Sequence, residues 1–311
     1  MMNNQMENEQ RHFIGIDIGG TKTAVSAGDC LGNIIGKIKF ETKKNPNEVI
    51  KDIFKAVVTV SQPFGGVFES IGICCGGPLN IEKGLIQSPP NLPNWIDIPI
   101  VKILSDTFNV PTFLQNDANA CALAEWRWGN GQGSNHMVFL TFGTGMGAGL
   151  ILNGKLFEGR SGLAGEVGHI RLADSGSFGY GKIGSWEGFC SGNGMSYLYK
   201  DRFGKDKTAK EICELAEKGD VQARTITDLS AYYLGHGIAL LIDILNPEII
   251  VIGSIFTRSE NLFRPTMEKV LQKEALTHSF EVCKIAPSLL GELLGDKAAL
   301  SVAMINDLEV V

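Results

Sequence analysis

The chain has 311 residues, a length that suits one large domain or two medium ones. It is 44% hydrophobic and 20% charged, and this apolar content excludes disorder over most of the chain. A formal net charge of −6 without a Lys/Arg stripe makes nucleic acid an unexpected partner.

No stretch approaches the ~18 consecutive apolar residues that a membrane helix needs. The polar N-terminus, MMNNQMENEQR, has no apolar core and does not resemble a signal peptide. Seven cysteines occur without a CxxC pair, which is typical of reduced thiols that pack as small core residues. We therefore expect a cytoplasmic protein that contacts no membrane.

The first half of the chain is predicted to alternate strands and helices after an antiparallel opening. Strands are expected at 13–18, 21–27, 34–40, 70–75 and 112–115, and helices at 46–60, 100–108 and 116–128. A polar, glycine-rich segment at 129–135 is a plausible link between two halves.

The second half repeats the opening, with a strand at 137–141, a glycine turn and a return strand at 148–152. Further strands are predicted at 248–252 and 281–285, and helices at 208–217, 221–244, 260–275 and 294–306. Strands alternating with helices predict an α/β fold, and the repeated hairpin predicts two similar halves that face each other.

Glycine turns follow the first strand of each half. In the first turn, Gly19 and Gly20 allow backbone amides to approach a phosphate, Thr21 adds a hydroxyl donor, and Asp17 is suited to Mg²⁺. The second turn, 143–149, offers the same chemistry but lacks the context of a dinucleotide fingerprint or a P-loop. Each turn alone is also explained as an ordinary hairpin, whereas two together could hold a triphosphate.

Two further groups carry candidate polar side chains. Asp117 lies with Asn116 at a strand-to-helix junction, where it is either a helix cap or a general base toward a substrate hydroxyl. Glu166, His169 and Glu187 lie among glycines, where they could bind a polyol through charge-assisted hydrogen bonds or belong to an exposed loop.

Taken together, these segments resemble the ROK family of bacterial sugar kinases and repressors, within the actin-like ATPase superfamily. The resemblance covers residues 13–305 and is carried by GIDIGGTK (15–22), GICCGGP (72–78), SPPNLPNW (88–95), QNDANA (115–120), GTGMGAG (143–149), GEVGHI (165–170) and LGDKAA (294–299). It implies two actin-like (ribonuclease H-like) α/β domains flanking a cleft that binds ATP. The smaller domain would be 1–117 completed by a C-terminal helix at 294–311, and the larger would be 118–293.

The resemblance also implies a role for each candidate residue. Asp117 would be the catalytic base, and Asp17 would position Mg²⁺, in the simplest case through water. The sugar would contact Gly77, Asn91, Asn116, Asp117, Glu166, His169 and Glu187. The ATP site would comprise Asp17, Gly19, Gly20, Thr21, Lys22, Gly143, Thr144, Gly145 and Gly253, with Ser254 standing where glycine is usual in the family.

The implied activity is ATP-dependent phosphorylation of a hexose hydroxyl, by default at C6 of glucose. N-acetylhexosamine, allose and fructose kinases remain alternatives, as does a non-catalytic sugar sensor. Repressors of the family carry an added DNA-binding domain ahead of the kinase-like body, and we expect none because the first strand starts at Phe13. Family analogy suggests a homodimer or tetramer.

The sequence departs from the family at a structural zinc site. Many members have three cysteines that complete this site, and here those positions hold Phe178, Tyr180 and Ser185. Structural zinc needs four nitrogen or sulfur ligands, which His169 and the nearby Cys190 cannot supply. We therefore predict no zinc, with aromatic packing stabilising the loop instead.

Overall fold

The computed structural model describes residues 11–310, so the predicted polar tail lies outside the described residues except for Arg11. The chain forms two compact units. Unit 1 contains the residues up to Gly129 together with those from Glu292 onward, and unit 2 is Asn130–Gly291. The division falls at the start of the predicted link, and the helix that ends at Trp128 belongs to unit 1 because it packs on the C-terminal helix. The expected boundary after residue 117 would have assigned that helix to the other domain.

The strands are β1 (His12–Ile18), β2 (Lys22–Asp29), β3 (Ile34–Glu41), β4 (Ile71–Cys75), β5 (Leu79–Asn80), β6 (Leu85–Ile86), β7 (Thr112–Asn116), β8 (Met137–Phe142), β9 (Met146–Leu152), β10 (Lys155–Leu156), β11 (Phe178–Gly179), β12 (Lys182–Ile183), β13 (Ile249–Ile252) and β14 (Lys284–Pro287). The α-helices are α1 (Pro46–Ser61), α2 (Ile100–Phe108), α3 (Asp117–Trp128), α4 (Trp186–Phe189), α5 (Gly192–Phe203), α6 (Ala209–Glu217), α7 (Val221–Leu245), α8 (Ile255–Glu274), α9 (Thr277–Val282) and α10 (Leu294–Ala303). Short 3₁₀ turns occur at Gln62–Phe64, Val167–His169, Gly291–Leu293 and Ile305–Val310.

Each unit contains a five-stranded sheet with the same plan. In unit 1 the order is β3-β2-β1-β4-β7, in which the first three strands are antiparallel and β1, β4 and β7 run parallel. In unit 2 the order is β10-β9-β8-β13-β14, with the same directions at each position. The prediction of an α/β fold with two similar halves is confirmed.

The C-terminal helix α10 packs directly on the sheet of unit 1. Gly72 in β4 makes this possible, because a Cβ at that position would overlap the backbone of Ala299 and Ala303. The packing is important for the site, since it brings the first turn of α10 to the carboxyl end of β1.

Among the stretches of unit 2 that differ from the prediction, two have a clear local cause. The predicted strand 281–285 begins too early, because pairing with β13 starts only where the Lys284 amide donates to the Glu248 carbonyl at 2.9 Å. Helix α5 was not predicted, since Gly192 and Gly194 disfavour helix. It forms because Ser191 caps it, with the Ser191 Oγ accepting from the Gly194 amide at 2.9 Å.

Helix α7 is the one helix between residues 11 and 310 that has the length and mean hydropathy of a membrane span, an exception to the expectation that no stretch approaches this composition. Half of its most apolar window is buried, and Leu234, Ile238 and Ile242 belong to the core of unit 2. A core helix of a water-soluble protein has this same pattern.

Candidate active site

In unit 1 the candidate residues lie at the carboxyl edge of the parallel strands. Ile18, Cys75 and Asn116 are aligned across β1, β4 and β7. The glycine turn after β1, Gly76 after β4 and Asp117 after β7 therefore lie at the same edge of the sheet. Open α/β sheets bind ligands at such an edge.

Asp117 is the first residue of α3, and its side chain is exposed. The cap of this helix is Asn116, whose Oδ1 accepts from the Ala118 amide at 2.9 Å. Asp117 Oδ1 accepts from the same amide at 2.9 Å, and a helix N-terminus favours an ionised carboxylate. Asp117 Oδ2 would be 3.9 Å from a Cβ on Gly76, so the carboxylate faces the turn after β4. The neighbouring Gly77 would place its Cβ 3.8 Å from the Asn116 Nδ2.

Asp17, near the end of β1, lies among other carboxylates. The pKa of Asp17 is raised to about 6, chiefly by burial and then by the negative charges of Asp117 and Asp296, against the opposing effect of Lys39 and Lys37. Asp17 Oδ2 would be 3.1 Å from a Cβ on Gly295, in the first turn of α10. The unit thus concentrates negative charge beside the glycine turn.

Asp296 is a buried residue to which the sequence gave no role, although it lies in the family-like segment 294–299. Lys37 Nζ donates to Asp296 Oδ2 at 2.5 Å, and Ser26 Oγ donates to Oδ1 at 3.0 Å. These bonds fix the start of α10 on β2 and β3. Asp296 lies close to Asp17 because α10 packs across the sheet of unit 1. No local sequence pattern predicts this packing.

The β1–β2 turn leaves Gly20, Thr21 and Lys22 exposed. It is closed by a hydrogen bond from the Gly19 amide to the Lys22 carbonyl, at 3.1 Å. Asn91 packs on this turn, because a Cβ on Gly20 would lie 2.5 Å from the Asn91 Cβ. A residue assigned to sugar and a turn assigned to phosphate are therefore neighbours in unit 1.

The corresponding turn of unit 2, Gly143–Gly145, is held by the start of α5. The Gly192 amide donates to the Gly143 carbonyl at 2.7 Å, and the Asn193 amide donates to the Thr144 carbonyl at 3.3 Å. Thr144 is exposed, so its hydroxyl is accessible at the turn.

The turn after β13 lies beside Gly143. The buried Gly253 donates its amide to the Leu140 carbonyl at 2.9 Å. Ser254 follows with φ 59° and ψ −112°, a conformation that favours glycine. Its Oγ would be 3.4 Å from a Cβ on Gly143. The structure thus brings together all the residues of unit 2 that were assigned to ATP.

Glu166 and His169 project from a segment that lies on β9. Gly165 has φ +91°, and a Cβ there would overlap the Ala148 carbonyl, so the backbone approaches β9 closely. The Ala148 amide donates to the Gly165 carbonyl at 2.8 Å. With the backbone fixed in this way, the side chains of Glu166 and His169 are both exposed.

Glu187, in the first turn of α4, joins this group from another direction. Its Oε2 accepts from the Met146 amide at 3.0 Å, and its Oε1 accepts from the Tyr180 amide at 3.0 Å. Glu187 therefore ties the hairpin formed by β11 and β12 to the start of β9. The sequence analysis missed this hairpin, whose strands have only two residues each.

The residues around His169 do not fit a structural zinc site. Cys190 is buried, and its Sγ donates to the Ser230 carbonyl at 3.2 Å in the core of unit 2. The Lys182 ammonium lies 3.3 Å from His169 Nδ1. A histidine that binds zinc directs a ring nitrogen at the metal ion, whereas here a positively charged side chain lies against this nitrogen. Among the described side chains, those of residues 11–307, no group of three or more His, Cys, Asp or Glu is arranged to hold a metal ion.

The two five-stranded sheets share one plan and carry the candidate residues at their edges. The protein has the two-domain α/β fold of the actin-like ATPase type, as expected from the sequence. The chain belongs to the ROK family, whose family model matches residues 13–303.

Individual relatives agree with this assignment. The chain is 33% identical to a glucokinase of Thermotoga maritima over 83% of this chain and 87% of the relative. The crystal structure of a ROK hexokinase from Thermus thermophilus has 28% identity and a TM-score of 0.87, covering 96% of this chain and 99% of the hexokinase. A ROK glucokinase from Streptomyces griseus in complex with glucose and AMPPNP has 28% identity and a TM-score of 0.77, covering 94% of this chain and 99% of that one. Xylose repressors are also among the relatives.

Proposed function

We propose that this protein is an ATP-dependent sugar kinase that transfers the γ-phosphate of ATP to a hexose hydroxyl, by default the C6 hydroxyl of glucose. The observation that carries the proposal is the exposed Asp117 carboxylate, which faces the turn after β4 at the same edge of the sheet as the glycine turn of β1 and β2. Support for the substrates comes from relatives named glucokinase and from the relative bound to glucose and AMPPNP.

In this mechanism Asp117 accepts the proton of the attacking hydroxyl. The sugar oxygen forms a bond to the γ-phosphorus, while the bond from that phosphorus to the bridging oxygen of ADP breaks. A carboxylate stabilised by a helix N-terminus is a weak base, which is adequate because the loose transition state of phosphoryl transfer mainly requires positioning and charge stabilisation. The amides and hydroxyls of the two glycine turns bind the phosphates.

The remaining assigned side chains bind the sugar. In unit 1 the groups proposed to bind sugar hydroxyls are Asn91, Asn116 and the backbone at Gly77, and in unit 2 they are Glu166, His169 and Glu187. Lys182 can only donate to His169 Nδ1, which leaves the Nε2–H of a neutral ring as a donor to a sugar oxygen. Charge-assisted bonds from the two glutamates add orientation.

Magnesium fits the chemistry of unit 1. Mg²⁺ is commonly bound by one or two carboxylates with phosphate oxygens and water, which agrees with a carboxylate at Asp17 and with the lack of a three-ligand protein group among the described residues. Asp17 would hold the ion, in the simplest case through water, and the ion would neutralise phosphate charge when bound. We also propose a cytoplasmic location and, by family analogy, a homodimer or tetramer.

The test is ADP release with ATP, Mg²⁺ and a panel of glucose, N-acetylglucosamine, N-acetylmannosamine, allose, fructose and xylose. We expect at least one sugar to stimulate turnover, with the phosphate located at C6 of the product by NMR. Because xylose repressors are among the relatives, a sugar sensor is the competing function. A sugar that binds in calorimetry without any sugar stimulating ADP release would favour the sensor and contradict the kinase.

A further inference from the structure

Tyr180 contacts all three side chains of unit 2 that the proposed function assigns to sugar. It lies between β11 and β12, in a hairpin that occupies the place of the family's zinc loop. Its backbone has φ +48°. The sequence analysis gave Tyr180 a role only in aromatic packing.

Each part of Tyr180 meets a different partner. The phenol donates a hydrogen bond to Glu166 Oε2. The ring packs edge-on against His169, with ring centroids 5.2 Å apart and an interplanar angle of 67°. The backbone amide donates to Glu187 Oε1 at 3.0 Å. One residue thus restrains a carboxylate and an imidazole from the segment on β9 and a second carboxylate from α4.

We propose that Tyr180 is a positioning residue for sugar binding, one that holds Glu166 and His169 in their binding orientations in this zinc-free loop. The inference rests on the proposed function, because the sugar is the ligand for which these side chains are arranged. An exposed glutamate otherwise samples many rotamers, and ordering it on binding weakens affinity. The phenol orders Glu166 before the sugar arrives.

The phenol is a dependable donor at neutral pH. Burial, followed by the hydrogen bond to Glu166, raises the pKa of Tyr180 further above its ordinary value. Since its proton is directed to Glu166 Oε2, the phenol leaves Oε1 with its full accepting capacity for a sugar hydroxyl.

The hairpin that carries Tyr180 is itself fixed by hydrogen bonds. Ser185, at another of the family's cysteine positions, donates its hydroxyl to the Gly179 carbonyl at 2.7 Å. The same oxygen accepts from the Gly188 amide at 3.1 Å and caps α4. The hairpin is thus fixed to the helix that carries Glu187, and no metal is required to hold Tyr180 in place.

Two variants separate the contributions of the side chain. Tyr180→Phe removes only the phenol oxygen. Tyr180→Gly also removes the ring, but it keeps the amide that binds Glu187 and suits the positive φ without strain. Tyr197→Phe is the matched control, since Tyr197 is an exposed tyrosine on α5, outside the hairpin.

We expect Tyr180→Phe to raise the sugar KM and the calorimetric sugar Kd by about tenfold, because the sugar would then have to order the Glu166 side chain on binding. Tyr180→Gly should raise both further. The KM for ATP, the melting temperature and the behaviour of Tyr197→Phe should stay at the wild-type level, and kcat should change less than the sugar KM. A merely structural role would instead lower the melting temperature and affect both substrates together.

The outcomes are distinguishable from failure of the proposed function. If the wild type phosphorylates a sugar and Tyr180→Phe keeps its sugar KM and Kd, the role of Tyr180 is refuted while the kinase stands. Equal changes for sugar and ATP would also refute it. If the wild type neither turns over nor binds any sugar of the panel, the proposed function and this inference both fail.

Discussion

Gly72 in β4 and Ala303 in α10 meet backbone to backbone, because a Cβ on Gly72 would overlap the Ala303 amide nitrogen. This contact allows α10 to lie on the sheet of unit 1. The first turn of the same helix places Gly295 and Asp296 beside Asp17. Because Gly72 has no side chain, α10 can pack on the sheet and bring Asp296 close to Asp17 at the edge of that sheet.

Gly72→Ala is expected to destabilise the protein strongly. The added Cβ would lie 2.2 Å from backbone atoms of Ala299 and Ala303, so the helix and the strand would have to move apart. The free energy of unfolding should therefore fall by about 3 kcal/mol. Gly36→Ala is the matched control, because a Cβ on Gly36 would meet its nearest neighbour, the Val60 carbonyl oxygen, at an ordinary 3.6 Å. Urea unfolding measures both variants. Equal stability of the two would contradict the packing described for α10.

Ser254→Gly is expected to stabilise unit 2. Ser254 has φ 59° and ψ −112°, which a residue with a Cβ adopts only at a cost. Glycine removes this strain but makes the unfolded chain more flexible, so we expect a net gain of about 1 kcal/mol. Ser254→Ala keeps the strain and should give no gain. Thermal unfolding compares the two variants, and a melting temperature for Ser254→Gly at or below that of Ser254→Ala would show that the position is unstrained.

Purified protein is expected to contain far less than one equivalent of zinc. The family's cysteine positions hold Phe178, Tyr180 and Ser185, and the Cys190 thiol is bonded in the core. Treatment with a chelator, followed by its removal and the addition of Mg²⁺, should therefore leave the melting temperature and the sugar KM unchanged. Metal analysis by mass spectrometry measures the content directly. One equivalent of zinc that is lost together with stability on chelation would overturn the interpretation of this loop.

Much of the fold could be predicted because each strand and helix has a strong local pattern. Helix α2 was predicted with its observed bounds, and α1 and β8 within one residue. Helix α5 was missed because its Gly192 and Gly194 contradict helix propensity, and its cap at Ser191 decides the matter instead. Packing and capping thus override propensity where glycines occur.

The candidate site was predictable in its parts but not in its contacts. The glycine turns and Asp117 stand out in the sequence because they follow apolar strands. By contrast, two pairs of neighbouring residues could not be predicted. Asp296 lies near Asp17 but is far from it along the chain. Tyr180, which bonds to Glu166, lies in a hairpin whose strands have only two residues each. Such contacts arise from tertiary packing, which periodicity and motif spacing do not encode.

The most direct test of the account is the kcat of Asp117→Asn in the sugar phosphorylation assay. The amide keeps the shape of the side chain but cannot take the proton, so we expect kcat to fall by about 10²–10⁴ while sugar binding persists. The control is Asp220→Asn on α7, a helix-capping aspartate whose Oδ1 accepts from the Ala223 amide at 2.8 Å, and it should keep the wild-type kcat. A kcat for Asp117→Asn close to that of the wild type would contradict the assignment of the catalytic base.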